Sequence, residues 1–158
     1  VSGGCKEIRC NGATKKHTMT NELTFKTNSI FKNVSYDLNA DSWYLAFEDK
    51  ISFFVTKFWR LLRNKEIKLV SLDNGQQFGL PKLADLIVLL TEELNEKVLL
   101  EIKVKRDTGD LVLTLSDNIQ IEIFISSTGY ESYNFSIDNK SYYGLGSGDI
   151  AIFDYKSK

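Results

Sequence analysis

The amino-acid sequence predicts an α+β fold: an antiparallel meander sheet of about eight short strands with one amphipathic helix packed on it. Two observations carry this. Apolar residues alternate with polar ones over short runs, most cleanly where Ile119, Ile121 and Ile123 point one way and Gln120 and Glu122 the other. A single stretch switches to helical spacing, with Leu83, Leu86, Ile87, Leu90 and Leu94 on one stripe.

The first strand is expected at 30–36 and the second at 43–47. The charged turn Glu48-Asp49-Lys50 then sends 51–55 back as a hairpin. Residues 58–62 and 67–70 form a second hairpin around Arg63-Asn64-Lys65-Glu66, although 54–62 can also be drawn as a helix. A long polar loop, 71–79, leads to Pro81. Proline suits the first helical position because its missing N–H has no partner there. The helix is therefore expected to start at Pro81. Beyond it the meander continues through 98–104, 111–115, 119–125, 130–137 and 150–153. Asp107-Thr108-Gly109, Asp117-Asn118 and Asp138-Asn139 supply turns.

The chain has 158 residues, 42 % of them hydrophobic and 26 % charged, which suits one domain with a core of ordinary size. Residues 1–18 read differently: they carry Lys6, Arg9, Lys15 and Lys16 against Glu7 and show no periodicity. Met19 is the only methionine. We therefore expect 1–18 to be a tail, either foreign to the natural chain or a basic arm, and 19–158 to be the domain. The tail is +3 and the rest −4, for a net −1. That balance gives no broad attraction to nucleic acid or to an anionic membrane. It is compatible with a basic protein partner. No run approaches the roughly 18 apolar residues of a membrane span, and no signal-type segment is present, so a cytoplasmic location is expected.

Cys5, Cys10 and His17 fall one ligand short of a structural zinc site and are read as free side chains of the tail. The body then contains no histidine and no cysteine, which removes nucleophile–base pairs of the Ser/His and Cys/His kinds. Asp73, Asp85, Asp110 and Glu131 stand at or near element ends, where carboxylates either cap and turn the chain or converge on a metal. Asp73-Asn74-Gly75 lacks the remaining ligands of a calcium loop. Gly144-Leu145-Gly146-Ser147-Gly148 matches neither a dinucleotide nor a phosphate loop and reads as a flexible hairpin connection. Trp43 and Trp59 are expected in the core. One of the neighbours Tyr142 and Tyr143 should face outward. Arg60, between Trp59 and Leu61, is a candidate anion or partner contact.

One set of motifs resembles a family of small, uncharacterised bacterial α+β proteins. It comprises Trp59-Arg60-Leu61, the run from Ser71 through Asp73, Gly75, Gln76 and Phe78 to Pro81 with Asp85, then Gly109-Asp110-Leu111, Ser126-Ser127, Gly129 to Tyr133, and Gly148 to Ile152. The family carries tryptophan where Tyr133 stands and often histidine where Asn74 stands, so no role is carried over at those two positions. The resemblance implies a compact α+β fold and an immunity-type role beside a toxin gene.

The expectation is a non-catalytic protein that neutralises a toxin by direct contact, as a monomer or homodimer. Arg60, Asp73, Asp85, Asp110, Glu131 and Tyr133 are its expected partner contacts. No cofactor, metal, nucleic acid or membrane is expected. The alternatives are a metal-dependent enzyme built on the four carboxylates and a module that oligomerises through an edge strand at 119–125.

Overall fold

The computed structural model describes residues 7–10, 13–18, 23–105 and 107–155, the first two segments as backbone only. The strands are β1 (Glu7–Cys10), β2 (Ala13–Thr18), β3 (Leu23–Asp37), β4 (Ser42–Phe47), β5 (Ser52–Thr56), β6 (Trp59–Arg63) and β7 (Glu66–Val70). After the helix α1 (Leu86–Leu94) follow β8 (Val98–Val104), β9 (Leu111–Leu115), β10 (Ile119–Ile123), β11 (Tyr133–Ile137), β12 (Lys140–Gly144) and β13 (Ile150–Asp154). The fold is thus mostly antiparallel sheet. Among the described residues eleven strands run from Leu23 onward, against about eight expected, and one nine-residue helix accompanies them.

The strand order is β1-β2-β13-β12-β11-β5-β4-β3-β8-β9-β10-β6-β7. The long strand β3 organises it. Its first half, from Leu23 to Ile30, pairs with β8, and its second half, from Phe31 to Asp37, pairs with β4. Register shifts between Lys26 and Ser29, and again between Phe31 and Asn33, let the strand bend between its two partners. The sheet then folds over on itself. Phe25, in the first half of β3, lies 5.8 Å from the ring of Phe135 on β11 and 5.1 Å from Tyr142 on β12. Trp43 of β4 meets Trp59 of β6 edge to face at 5.1 Å. Both tryptophans are buried with Phe53, Tyr133 and Phe135, so the large aromatics form the core between the two leaves. Tyr142 is buried there too, while Tyr143 is half-buried.

Four hairpins turn on residue pairs with positive φ at both central positions: Asp49-Lys50, Asn64-Lys65, Asp117-Asn118 and Asp138-Asn139. That conformation matches the right-handed twist of paired strands, and Asn and Asp tolerate it better than most side chains. The turns hold registers such as Arg63↔Glu66 and Ile137↔Lys140.

The strands expected at 51–55 and 58–62 are β5 and β6, with Phe53, Val55, Trp59 and Leu61 buried, and the alternative helix over 54–62 does not form. Three other readings are corrected. Strand β10 lies between β9 and β6, so it offers no free edge for pairing between chains. Gly144 closes β12, and Gly146–Gly148 form a tight turn rather than a loose connection. The helix starts at Leu86 rather than Pro81. Asp85 caps it, accepting from the backbone N–H of Ile87 at 3.1 Å and of Val88 at 3.3 Å. Only Leu86, Leu90 and Leu94 of the expected stripe are buried, packing beside β3. Leu83 lies outside the helix and is 58 % exposed.

Candidate binding site

Most of the singled-out residues gather at one end of the folded sheet, where β8, β10 and β12 finish and β6, β9 and β13 begin. A chain of contacts runs across this end. Ser71, leaving β7, accepts the backbone N–H of Trp59 on its hydroxyl at 3.0 Å. Phe58 accepts the N–H of Phe124 at 3.2 Å, and their rings lie 5.0 Å apart. The next residue, Ile125, donates its N–H to Asp110 Oδ1 at 2.9 Å. Tyr133 donates its hydroxyl to the Gly109 carbonyl at 2.7 Å.

Three loops close on one another here through glycine. A methyl group on Gly109 would meet the Gly148 backbone at 2.6 Å, and one on Gly146 would meet the Thr128 and Gly129 backbone at 2.5 Å. Beneath them the Tyr133 ring fills the space where a side chain on Gly144 would stand. An open depression of about 570 Å³ remains among Thr108, Asp110, Phe124, Ser126, Thr128 and Ser147.

The sequence-selected residues take specific parts. Arg60 reaches Glu122 on the neighbouring strand with its Nε and lies over the Phe124 ring at 5.2 Å, so its charge is already paired. Asp110 accepts the Thr108 hydroxyl on Oδ2 at 2.8 Å as well as the Ile125 N–H on Oδ1. It acts as a clasp between two loops. Glu131 accepts the Asn134 side-chain amide at 2.8 Å. Tyr133 is fully buried, so it cannot touch a partner as expected. Burial, followed by the nearby Asp110 charge, pushes its phenol well above the ordinary range. Asp85 is the helix cap, and Asp73 sits in the short turn Ser71–Asp73. Among the described residues no group of three or more His, Cys, Asp or Glu side chains is placed to hold a metal. Cys5 lies outside those residues, as do the side chains of Cys10 and His17.

Residues 71–85 form an ordered loop. Gly75 donates to the Ala84 carbonyl at 2.8 Å, and Ala84 donates back to Gln76 at 2.7 Å. Asn74 Oδ1 accepts the N–H of Leu86 at 3.1 Å, tying the base of the loop to the helix. Above this base the tip carries Phe78, Leu80 and Leu83, all exposed. Leu72 at the loop's start and Ile87 and Val88 on α1 add further exposed apolar surface. Phe78 is 70 % exposed and holds φ +46, followed by Gly79 at φ +73. The unit of residues 71–96 carries Asp73, Asp85, Glu92, Glu93 and Glu96 against Lys82, a net −4. This equals the net charge of all residues from 19 onward.

The sequence singles out polar residues of this loop as contacts, and Phe78 only as part of the motif that carries the resemblance. An apolar residue in a loop announces itself only when its exposure is known. No helix among the described residues is long and apolar enough to cross a membrane. Comparison with protein-family models, with curated proteins and with solved structures finds no match to this chain.

Proposed function

We propose that this is a non-catalytic binding protein that engages a protein partner through residues 71–96, with Phe78 as the anchor. One observation carries the reading. A bulky aromatic in left-handed backbone conformation costs about 1 kcal/mol or more, and a glycine would avoid that cost. Phe78 recovers little of it by packing, because most of its ring faces water. Neither backbone nor core therefore accounts for a phenylalanine here, whereas an interface does. The loop beneath is held by hydrogen bonds at its base, so little ordering remains to be done on binding.

In this reading the family resemblance points to a toxin domain as the partner, with the protein in an immunity role. The test begins with the gene neighbourhood, where a toxin-domain gene is expected directly upstream, and continues with co-expression of its product. Growth should be rescued and a complex recovered. The double variant Phe78→Ser, Leu83→Ser should weaken that complex by about tenfold or more, about 1.4 kcal/mol, with an unchanged melting temperature. Full affinity in the double variant would overturn the proposed surface, and absence of rescue would overturn the immunity role.

A further inference from the structure

We infer that the partner's docking face is cationic and surrounds an apolar pocket that receives the loop tip. This rests on the binding role proposed for residues 71–96 and adds the chemistry of what binds there. The net charge of the chain from residue 19 onward is matched by this single unit, with the rest of that stretch neutral as a whole.

Glu93 is ion-paired with Arg63 at 2.7 Å, so the acids the unit presents are Asp73, Asp85, Glu92 and Glu96, against the exposed Lys82. Asp73 and Asp85 stand just outside the hydrogen-bonded closure of the loop. Exposed Glu92 and Glu96 follow at the C-terminal end of the unit. The exposed residues Phe78, Leu80 and Leu83 lie in the stretch enclosed by the Gly75–Ala84 and Ala84–Gln76 hydrogen bonds. An apolar centre among polar residues is the usual anatomy of a transient protein interface. A net charge of one sign also selects the sign of its partner and speeds encounter with it.

The same charge disfavours the other occupants. A second copy of this chain would bring one net-negative unit against another. Nucleic acid and anionic lipid surfaces are repelled as well. A protein with lysine or arginine around a hydrophobic recess is the occupant that satisfies both the apolar tip and the unit's net charge.

The probe is a synthetic amphipathic helix with one leucine face and one lysine face, titrated into the isotope-labelled protein and followed by backbone chemical shifts. A twin peptide with glutamate in place of lysine is the control. The lysine peptide should shift residues within 71–96 and weaken about tenfold between about 50 and about 300 mM salt. The glutamate twin should not bind. The triple variant Asp73→Lys, Glu92→Lys, Glu96→Lys should lose about tenfold in affinity for the lysine peptide while keeping its native spectrum.

Equal binding of the two peptides, no binding of the lysine peptide, or shifts mapping elsewhere would overturn the inference. If the inference fails while Phe78→Ser, Leu83→Ser still breaks the toxin complex, only the cationic character of the partner falls. If the toxin complex is indifferent to those two residues, the binding surface itself falls.

Discussion

The buried Tyr133 hydroxyl donates to the Gly109 carbonyl across the two leaves of the folded sheet, from β11 to the β8–β9 loop. The bond satisfies two groups that water cannot reach. Tyr133→Phe keeps the ring and leaves the carbonyl unpaired, so it should cost about 1 to 2 kcal/mol in urea unfolding. Burial also holds the phenol protonated far into alkali, and Tyr142 and Tyr143 are raised for the same leading reason. In the unfolded chain these phenols ionise near about pH 10. The folded chain then binds more protons than the unfolded one, so stability is intact below that pH and falls above it. Melting temperature should drop steeply past about pH 10, less so in Tyr133→Phe. An identical alkaline slope in both proteins would show that Tyr133 has no share in it.

Gly146 permits backbone-to-backbone contact between two loops. Its added methyl would press on Thr128 and Gly129 main chain, which cannot rotate away as a side chain can. Gly146→Ala should therefore destabilise by about 1 to 3 kcal/mol. Gly129→Ala, with nothing within 4 Å of its added methyl, should be far milder. Thermal melts of the two variants make the comparison.

Asp85 satisfies two backbone donors at the start of α1. Asp85→Ala should cost about 1 kcal/mol, and Asp85→Asn much less, because the amide oxygen still accepts. Equal losses in the two variants would argue against the capping role.

Phe78→Gly removes an exposed ring and relieves positive φ. The free protein should keep its stability or gain up to about 1 kcal/mol, while partner binding weakens. A marked loss of stability in the free protein would assign Phe78 to the fold and not to an interface.

Much of the local structure was legible in the sequence. The alternation of Ile119, Ile121 and Ile123 reports strand β10 because side-chain direction has period two whatever lies on either face. The turns at Asp117-Asn118 and Asp138-Asn139 were legible because those residues tolerate left-handed backbone. The helix start was misread because Pro81 and Asp85 are both good start signals. Only the hydrogen bonds from Ile87 and Val88 to Asp85 distinguish them. Of the expected contact residues, Tyr133 proved buried, Asp85 a cap and Arg60 a paired cation. Sequence identifies a polar or charged group without saying whether the fold already supplies its partner.

The sequence by itself determined which segments extend, where they turn, and that residues 19–158 hold no imidazole or thiol for chemistry. Tertiary structure alone decided that β3 serves two partners, that loops near Gly109, Gly129 and Gly148 meet, and that Phe78 faces water. The physical reason is one of range. Dihedral preference and side-chain periodicity act within a few residues and are written in the local chain. Strand pairing and exposure depend on how distant segments together bury apolar surface, and no single segment records that outcome.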